Sequence, residues 1–468
     1  MKRHSWMAMA LGALLLTACG GGGSTSTSAS TVSSYTGPFN WKAAQGQTIN
    51  VLFNEHPYAN AIIKRLPEFQ KETGITVKYQ VIPESSYFTK LSLDLGAKNG
   101  NIDAFMTGTY QLWGYATAGY MEPLDDLIKS SSWTSPDYDV QDFIPNVLNG
   151  DRWDLKPGSP VGTGPLWAIP MGFEQYPITY NVKAFQKAGI TKLPTTLPEL
   201  VDVAKKLNGW NGPGSYGIAV RGSRNWGTIH PDYMSLFSNY GAKDFTIQNG
   251  RLVTGVNSPQ AVEMTQLWID MVRHGAEPGW ANYDWYQNGA DLGAGKAAMM
   301  YDADILGFFT NQPGGSKEAG NLRWMMPPKG PDGQLGSNEW IWSIAMNKYS
   351  THKLATWLFM QWFTSKQHDL WGATNGYLMD PPRQSVWNDP KFVDYVNKAA
   401  PGYLEVFKQL NPHTKIEFTP EPEFFNVATQ WATKLQEIES GSVDVKTGMD
   451  QLADQINQMV ADIKVTGQ

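Results

Sequence analysis

Between Ile49 and Met106 strand-like and helix-like stretches alternate, and this alternation restricts the fold more than any other feature of the chain. Ile49–Phe53 reads as a strand. From Tyr58 to Thr73 the apolar residues Ile62, Ile63, Leu66 and Phe69 recur at helical spacing; Pro67 is expected to kink this helix and Gly74 to cap it. Ile75, Val77, Tyr79 and Val81 then alternate with polar residues, a helical segment centres on Leu91, and Asp103–Met106 forms a third apolar run. The order β-α-β-α-β predicts a mainly parallel sheet covered by helices, with ligands at the carboxyl ends of its strands. A second unit opens near Trp167–Met171. Its helix begins with a capping box, Thr196-Leu-Pro-Glu199, and buries Leu200, Val203, Ala204 and Leu207. Phe245–Val253 reads as a hairpin turning at Asn249-Gly250, and Ser258-Pro259 starts a helix with Met264, Leu267, Trp268, Met271 and Val272 on one face. Further helices are expected near residues 353–365, 424–439 and 449–463. At 468 residues the chain exceeds the roughly 250–300 that one core supports, so two α/β lobes are expected.

The N-terminus carries an address. Lys2, Arg3 and His4 precede an apolar stretch, Trp6–Leu16, too short to span about 30 Å of hydrocarbon, so residues 1–18 read as a secretory signal peptide. Leu16-Thr-Ala-Cys19 resembles the bacterial lipobox, in which the cysteine after the cut is lipidated, and Cys19 is the only cysteine of the chain. Residues 19–39 then form a Gly-, Ser- and Thr-rich tether. An exported protein held at the membrane by Cys19 and facing the periplasm or cell exterior is expected. A single cysteine excludes an internal disulfide and multi-cysteine metal sites. The net charge of -6 offers no basic field for nucleic acid.

Searches for chemistry fail one after another. Gly289–Lys296 approaches a phosphate loop, but the first glycine is misplaced by one and Ala297 stands where a magnesium-binding hydroxyl is needed. There is no Gly-x-Ser-x-Gly elbow, and none of the seven histidines pairs with another at metal spacing. His56 and His230, in candidate loops, read as hydrogen-bonding rather than catalytic histidines. No catalytic residue, metal or cofactor is assigned. What remains are loops mixing aromatics, carboxylates and amides: Asn54-Glu55-His56, Thr107–Trp113, Gly172–Gln175, Arg221–Trp226, Tyr283–Tyr286, Asp302-Ala-Asp304 and Trp340-Ile-Trp342. Nineteen tryptophans supply flat apolar faces. A sugar needs this mixture, because its C–H faces lie on rings while carboxylates and amides meet its hydroxyls.

Several blocks, in order, resemble the family 1 extracellular solute-binding proteins of ABC sugar importers: Pro67–Ile75, Gly119–Leu127, Trp167–Pro170 with Tyr180-Asn181, Ala184–Ile190 and Gly295–Met300. Tyr216–Gly222 with Asn225-Trp-Gly227, Trp340–Ile344 and Pro422–Phe425 look most like the mannitol and sorbitol binders of that family. The resemblance implies a two-lobed periplasmic-binding-protein fold that closes by a hinge on its ligand and presents both lobes to a permease. Crossing segments are expected near Pro170, Trp342 and Pro390, giving lobe one as 40–170 plus 343–390 and lobe two as 171–342 plus 391–468. The expected ligand-binding residues are Asn54, Glu55, Thr109, Tyr110, Glu174, Arg221, Asn225, Trp226, Trp285, Asp302, Asp304, Trp340, Trp342 and Phe424. Maltose-type members carry a tryptophan where this chain has Asp302-Ala-Asp304, so a small polyol or one or two sugar rings is expected, with Asp302 and Asp304 as acceptors. The expected partners are that carbohydrate or polyol, the permease subunits and, through Cys19, the membrane, with the protein acting as a monomer. The alternative is a lipid-anchored glycoside hydrolase, since two carboxylates flanking a sugar are also its signature.

Overall fold

The structure, a computed structural model, describes residues 35–465. The signal peptide, Cys19 and the tether up to residue 34 lie outside the described residues.

Two sheets organise the chain. The first holds β1 (Thr48–Asn54), β2 (Thr76–Ile82), β3 (Ala104–Gly108) and β4 (Ala168–Glu174); the second holds β5 (Ile178–Asn181) and β6 (Tyr216–Ala219). A separate hairpin, β7 (Phe245–Gln248) and β8 (Arg251–Thr254), follows. β9 (Ala297–Tyr301) and β10 (Leu322–Met325) complete the second sheet, β11 (Ser337–Asn338) pairs with the late β13 (Thr414–Lys415), and β12 (Trp340–Met346) returns to the first. The strand orders are β2-β1-β3-β12-β4 and β10-β5-β9-β6.

The expected mainly parallel sheets are found with one reversed strand in each. β1 runs parallel to β2 and β3, whereas β12 is antiparallel to both β3 and β4; in the second sheet β5 is antiparallel to β9 and β10 while β6 and β9 are parallel. The reversal has a geometric cause. β4 ends at the carboxyl edge of the first sheet and the chain reaches β5 after three residues, so it must enter the second sheet at that sheet's own carboxyl edge, against the direction of its neighbours. β12, coming back from β10 through β11, enters the first sheet in the same way. Each sheet therefore turns its carboxyl edge toward the other, where open α/β sheets hold ligands.

The capping and turn signals in the sequence act as expected. The helix Pro57–Thr73 runs through Pro67 to Gly74, whose φ of 70° is the left-handed conformation that glycine tolerates. It buries Tyr58, Ile62, Leu66 and Phe69 and packs on the helix Lys353–Phe363, itself lying on β1 and β12. Thr196 and Glu199 form the reciprocal capping box, and Ser258 caps the helix Pro259–Gly275 through Ala261. Asn249 and Gly250, at φ 50° and 69°, make the hairpin turn. The last helix starts earlier than the apolar spacing suggested, at Val445, because Asp444 caps it. The helix Phe424–Glu439 packs on both Thr109–Thr117 and Pro259–Gly275.

Candidate ligand-binding cleft

Where the two carboxyl edges face each other lies a narrow cavity of about 20 Å³, far below the roughly 300–1,000 Å³ typical of ligand sites, so a ligand enters only as the two walls move apart. The first sheet contributes His56 and Glu84, just beyond β1 and β2, then Glu174 at the end of β4, and Trp340 and Trp342 at the start of β12. The second contributes Arg221 and Trp226 beyond β6, His230, Trp285, and the start of the helix Asp304–Asn311 beyond β9. Alternation in β12 puts Trp340 and Trp342 on one side of the strand. In register, Trp342 lies opposite Gly108, and Trp340 opposite Glu174. The approach is tight at Gly108, where a Cβ would stand 2.0 Å from the Trp340 ring, so only glycine leaves room for that indole.

Among the described residues, Arg221 is the only cation at the cavity wall. Its Nε donates to both oxygens of Asp302 at 3.0 Å and Nη2 to Oδ1 at 2.6 Å, while Nη1 donates to the Gly227 carbonyl at 3.0 Å and meets His230 Nε2 at 3.0 Å. These bonds engage four of the five guanidinium N–H groups and leave one, on Nη2. Because a guanidinium only donates, His230 Nε2 must accept, so the His230 proton sits on Nδ1 and is donated to the Tyr176 hydroxyl at 2.8 Å. Burial, reinforced by Arg221, holds the His230 pKa well below its ordinary value, in keeping with a neutral ring.

The opposite wall carries two carboxyl groups that burial biases toward the protonated form. Burial raises Glu174 well above the usual carboxylate range, with Arg221 pulling the other way, and Trp342 Nε1 donates to its Oε1 at 3.0 Å. Glu84, partly accessible, is raised to about 7 by burial and by Asp284, against Arg221. Asn54 Nδ2 donates to Glu84 Oε2 at 2.9 Å. His56 is lowered to about 3 by burial; its Nδ1 accepts from the Tyr58 backbone N–H, so a neutral ring directs Nε2–H toward Glu174, 3.9 Å away. Carboxylic acids that keep a proton both donate and accept, as do alcohols, so the two walls offer a hydroxyl-bearing ligand partners of both kinds around indole faces.

Of the residues expected from the sequence, Glu174, Arg221, Trp226, Trp285, Trp340 and Trp342 line this cavity. Asn54 is one bond behind it, holding Glu84. Asn225 lies on its outer side, tied to Ser223 and Asp284. The expected acceptors Asp302 and Asp304 are placed differently. Asp302 is consumed by Arg221, by Asn288 Nδ2 at 2.8 Å and by the Ala303 N–H at 2.7 Å, so it positions the cation rather than meeting a ligand. The Tyr403 hydroxyl lies 2.6 Å from both Asp304 and Asp380; one hydroxyl carries one proton, so one of these carboxyls must carry another, and burial raises both. Glu55 is exposed. Thr109 donates to the Gly150 carbonyl at 2.6 Å, and Tyr110 packs behind Trp340 with its hydroxyl on the Glu339 carbonyl. Phe424 belongs to the core, against Tyr110, Trp113 and Phe418. Glu84, His56 and His230 complete the wall. Glu84 had a signal: it follows a strand at its carboxyl end, as Glu174 does. His230 stood in a candidate loop, but its place on the wall depends on its contact with Arg221.

No group of three or more His, Cys, Asp or Glu side chains is arranged to hold a metal among the described residues, and no helix there is long and apolar enough to cross a membrane.

Residues 52–369 match the family of bacterial extracellular solute-binding proteins. An erythritol/L-threitol-binding protein of Mycolicibacterium smegmatis is 42% identical over 427 residues, covering 91% of this chain and 89% of the relative. A mannitol-binding protein of Pseudomonas aeruginosa is 26% identical over 389 residues, covering 79% and 83%. Among solved structures, an ABC transporter solute-binding protein from Agrobacterium radiobacter in complex with ribitol has the same fold, with a TM-score of 0.76 at 22% identity, covering 89% of this chain and 99% of that one. These are transport binding proteins, which sets the glycoside hydrolase alternative aside. The chain belongs to the bacterial extracellular solute-binding proteins and is a binding protein, not an enzyme.

Proposed function

We propose that this protein is the receptor of an ABC importer for a linear polyol of about four to six carbons, captured between the two sheets and handed to a membrane permease. The observation that carries the reading is the small cavity in which Arg221, two buried or half-buried acids and four tryptophans converge. A polyol presents hydroxyls that donate and accept along an otherwise apolar backbone, and the walls pair with both features. A ligand lacking one of these hydroxyls leaves a buried polar group unpaired, at a cost of about 1–3 kcal/mol, so such a site discriminates by hydroxyl pattern. The ligands named for the similar proteins, erythritol or L-threitol, mannitol and ribitol, support this class.

On this reading the segments between β4 and β5 and between β10 and β12 act as hinges, so the expected lobe bounds at 170 and 342 move to about 174 and 339, because β4 and β12 lie whole in the first sheet. Closure is favoured because only the closed state contacts the ligand from both lobes. The protein is exported as a monomer, cut before Cys19 and held at the membrane by lipid on that cysteine. The test is calorimetry with erythritol, L-threitol, ribitol, mannitol, glucose and maltose. Tightest binding is expected for one of the four polyols, and a preference for maltose with the polyols silent would overturn the reading.

A further inference from the structure

Outside the cavity, on the side of Glu84 and Trp226, runs a groove of about 1,040 Å³ open to solvent between the helices Glu84–Gly96 and Phe424–Glu439. Glu84 and Trp226 line both spaces. The lining that the small inner site and the large groove share is therefore a single indole ring and a single carboxyl group, and each is held in place. Trp226 lies with its ring stacked on His230, at 5.8 Å and 13° between planes, and meets Phe88 and Phe425 edge-on at 5.2 and 5.5 Å. Its neighbours in sequence are pinned: Asn225 Oδ1 accepts from the Gly227 N–H at 2.7 Å, and Asn225 Nδ2 donates to Asp284 at 3.0 Å. Glu84 is tied to Asn54 at 2.9 Å. The groove beyond carries the same mixture as the cavity, with Phe88 and Phe425 beside Thr89, Asn426 and Gln430. Nothing in its chemistry would repel a further sugar unit.

We propose that Trp226, backed by Glu84, is the residue that sets ligand length: it closes the end of the polyol site and bars the second unit of a glycosylated polyol from the groove. The inference rests on the polyol reading above and adds to it which residue decides size. A shorter side chain at 226 joins the two spaces, so the enclosed site becomes the inner end of a longer one. Phe88 and Phe425 then offer rings to the added unit.

The experiment is calorimetry on the full mature protein and on Trp226→Ala and Trp226→Leu, with erythritol, mannitol and maltitol, a glucosyl hexitol, as probes. Thr429→Ala, in the groove and away from the wall, is the control. In the wild-type protein the short polyols are expected to bind at least 100-fold more tightly than maltitol. In Trp226→Ala the ratio of maltitol to mannitol affinity is expected to rise at least tenfold, with a smaller rise in Trp226→Leu and none in Thr429→Ala. An unmoved ratio in both Trp226 variants, or loss of all polyol binding in variants that keep the wild-type unfolding transition, overturns the length gate while leaving the polyol reading in place. Should Trp226→Ala not fold, the direction of the ratio in Trp226→Leu decides alone. A wild-type protein that binds none of the three probes overturns the polyol reading and the gate with it.

Discussion

Removing the Asp302 carboxylate separates what holds the cleft together from what binds in it. Asp302→Ala deprives Arg221 of its partner on both Nε and Nη2 and strips Asn288 Nδ2 and the Ala303 N–H of their acceptor, all in a fully buried spot. Leaving one member of a buried ion pair behind costs about 3–5 kcal/mol, more than the net value of the pair, because the remaining charge stays desolvated. The released guanidinium loses its fixed place at the cavity wall, and a hydrogen bond to a charged group is worth about 1.5–3 kcal/mol, so polyol affinity should fall about 10- to 150-fold. Stability and binding part company in a second variant. Arg221→Leu with Asp302→Leu replaces the pair by apolar side chains, which restores stability to within about 1 kcal/mol of wild type, yet the binding loss should persist. Urea unfolding without ligand gives the first quantity and calorimetry the second. Wild-type affinity in the double variant would refute the reasoning, since Arg221 would then contribute no ligand bond; wild-type stability in Asp302→Ala would show that the pair does not constrain the cleft.

Other perturbations probe separate links. Gly108→Ala forces the Trp340 ring to move from 2.0 Å, so it should lower stability by about 1–3 kcal/mol and weaken polyol binding together, and a variant affecting neither would place Trp340 outside the site. Asp151, buried beneath Ser343, is raised from 3.8 to about 7 by burial. A raised carboxyl stabilises the fold at low pH and loses that contribution as pH rises, so wild type should fall relative to Asp151→Asn between pH 4 and 7, by about 4 kcal/mol at most, and level off above. A difference in urea midpoints that stays constant from pH 4 to 8 would contradict this. Cys19→Ser should leave folding and binding intact and move the protein from the membrane fraction to the soluble one, read by fractionation and by mass spectrometry of the mature N-terminus; retention at the membrane would remove the lipid anchor from the account.

Much of the architecture was legible because it is written in local periodicity. The β-α-β-α-β order, the Thr196 and Ser258 caps and the Asn249-Gly250 turn involve residues a few positions apart, whose hydrogen bonds close within one turn or hairpin. The rule that ligands sit at strand carboxyl ends reached Glu174 and Arg221, and applied to β2 it would have reached Glu84 as well. Composition could not sort the remaining candidates. Aromatics and carboxylates serve a core and a pocket equally, so Tyr110 and Phe424 packed inward and Asp304 was drawn to Tyr403 and Asp380.

The sequence by itself therefore determined the elements, their order and the edge at which a ligand would sit, since periodicity and capping act over short stretches of chain. Only the tertiary structure decided which polar groups remain available there. Arg221 meets Asp302 from 81 positions away, Trp342 meets Glu174 from 168, and Asn338 meets Tyr110 from 228. Whether an acid becomes a ligand contact or the partner of a cation depends on such distances through space, and no spacing along the chain encodes them.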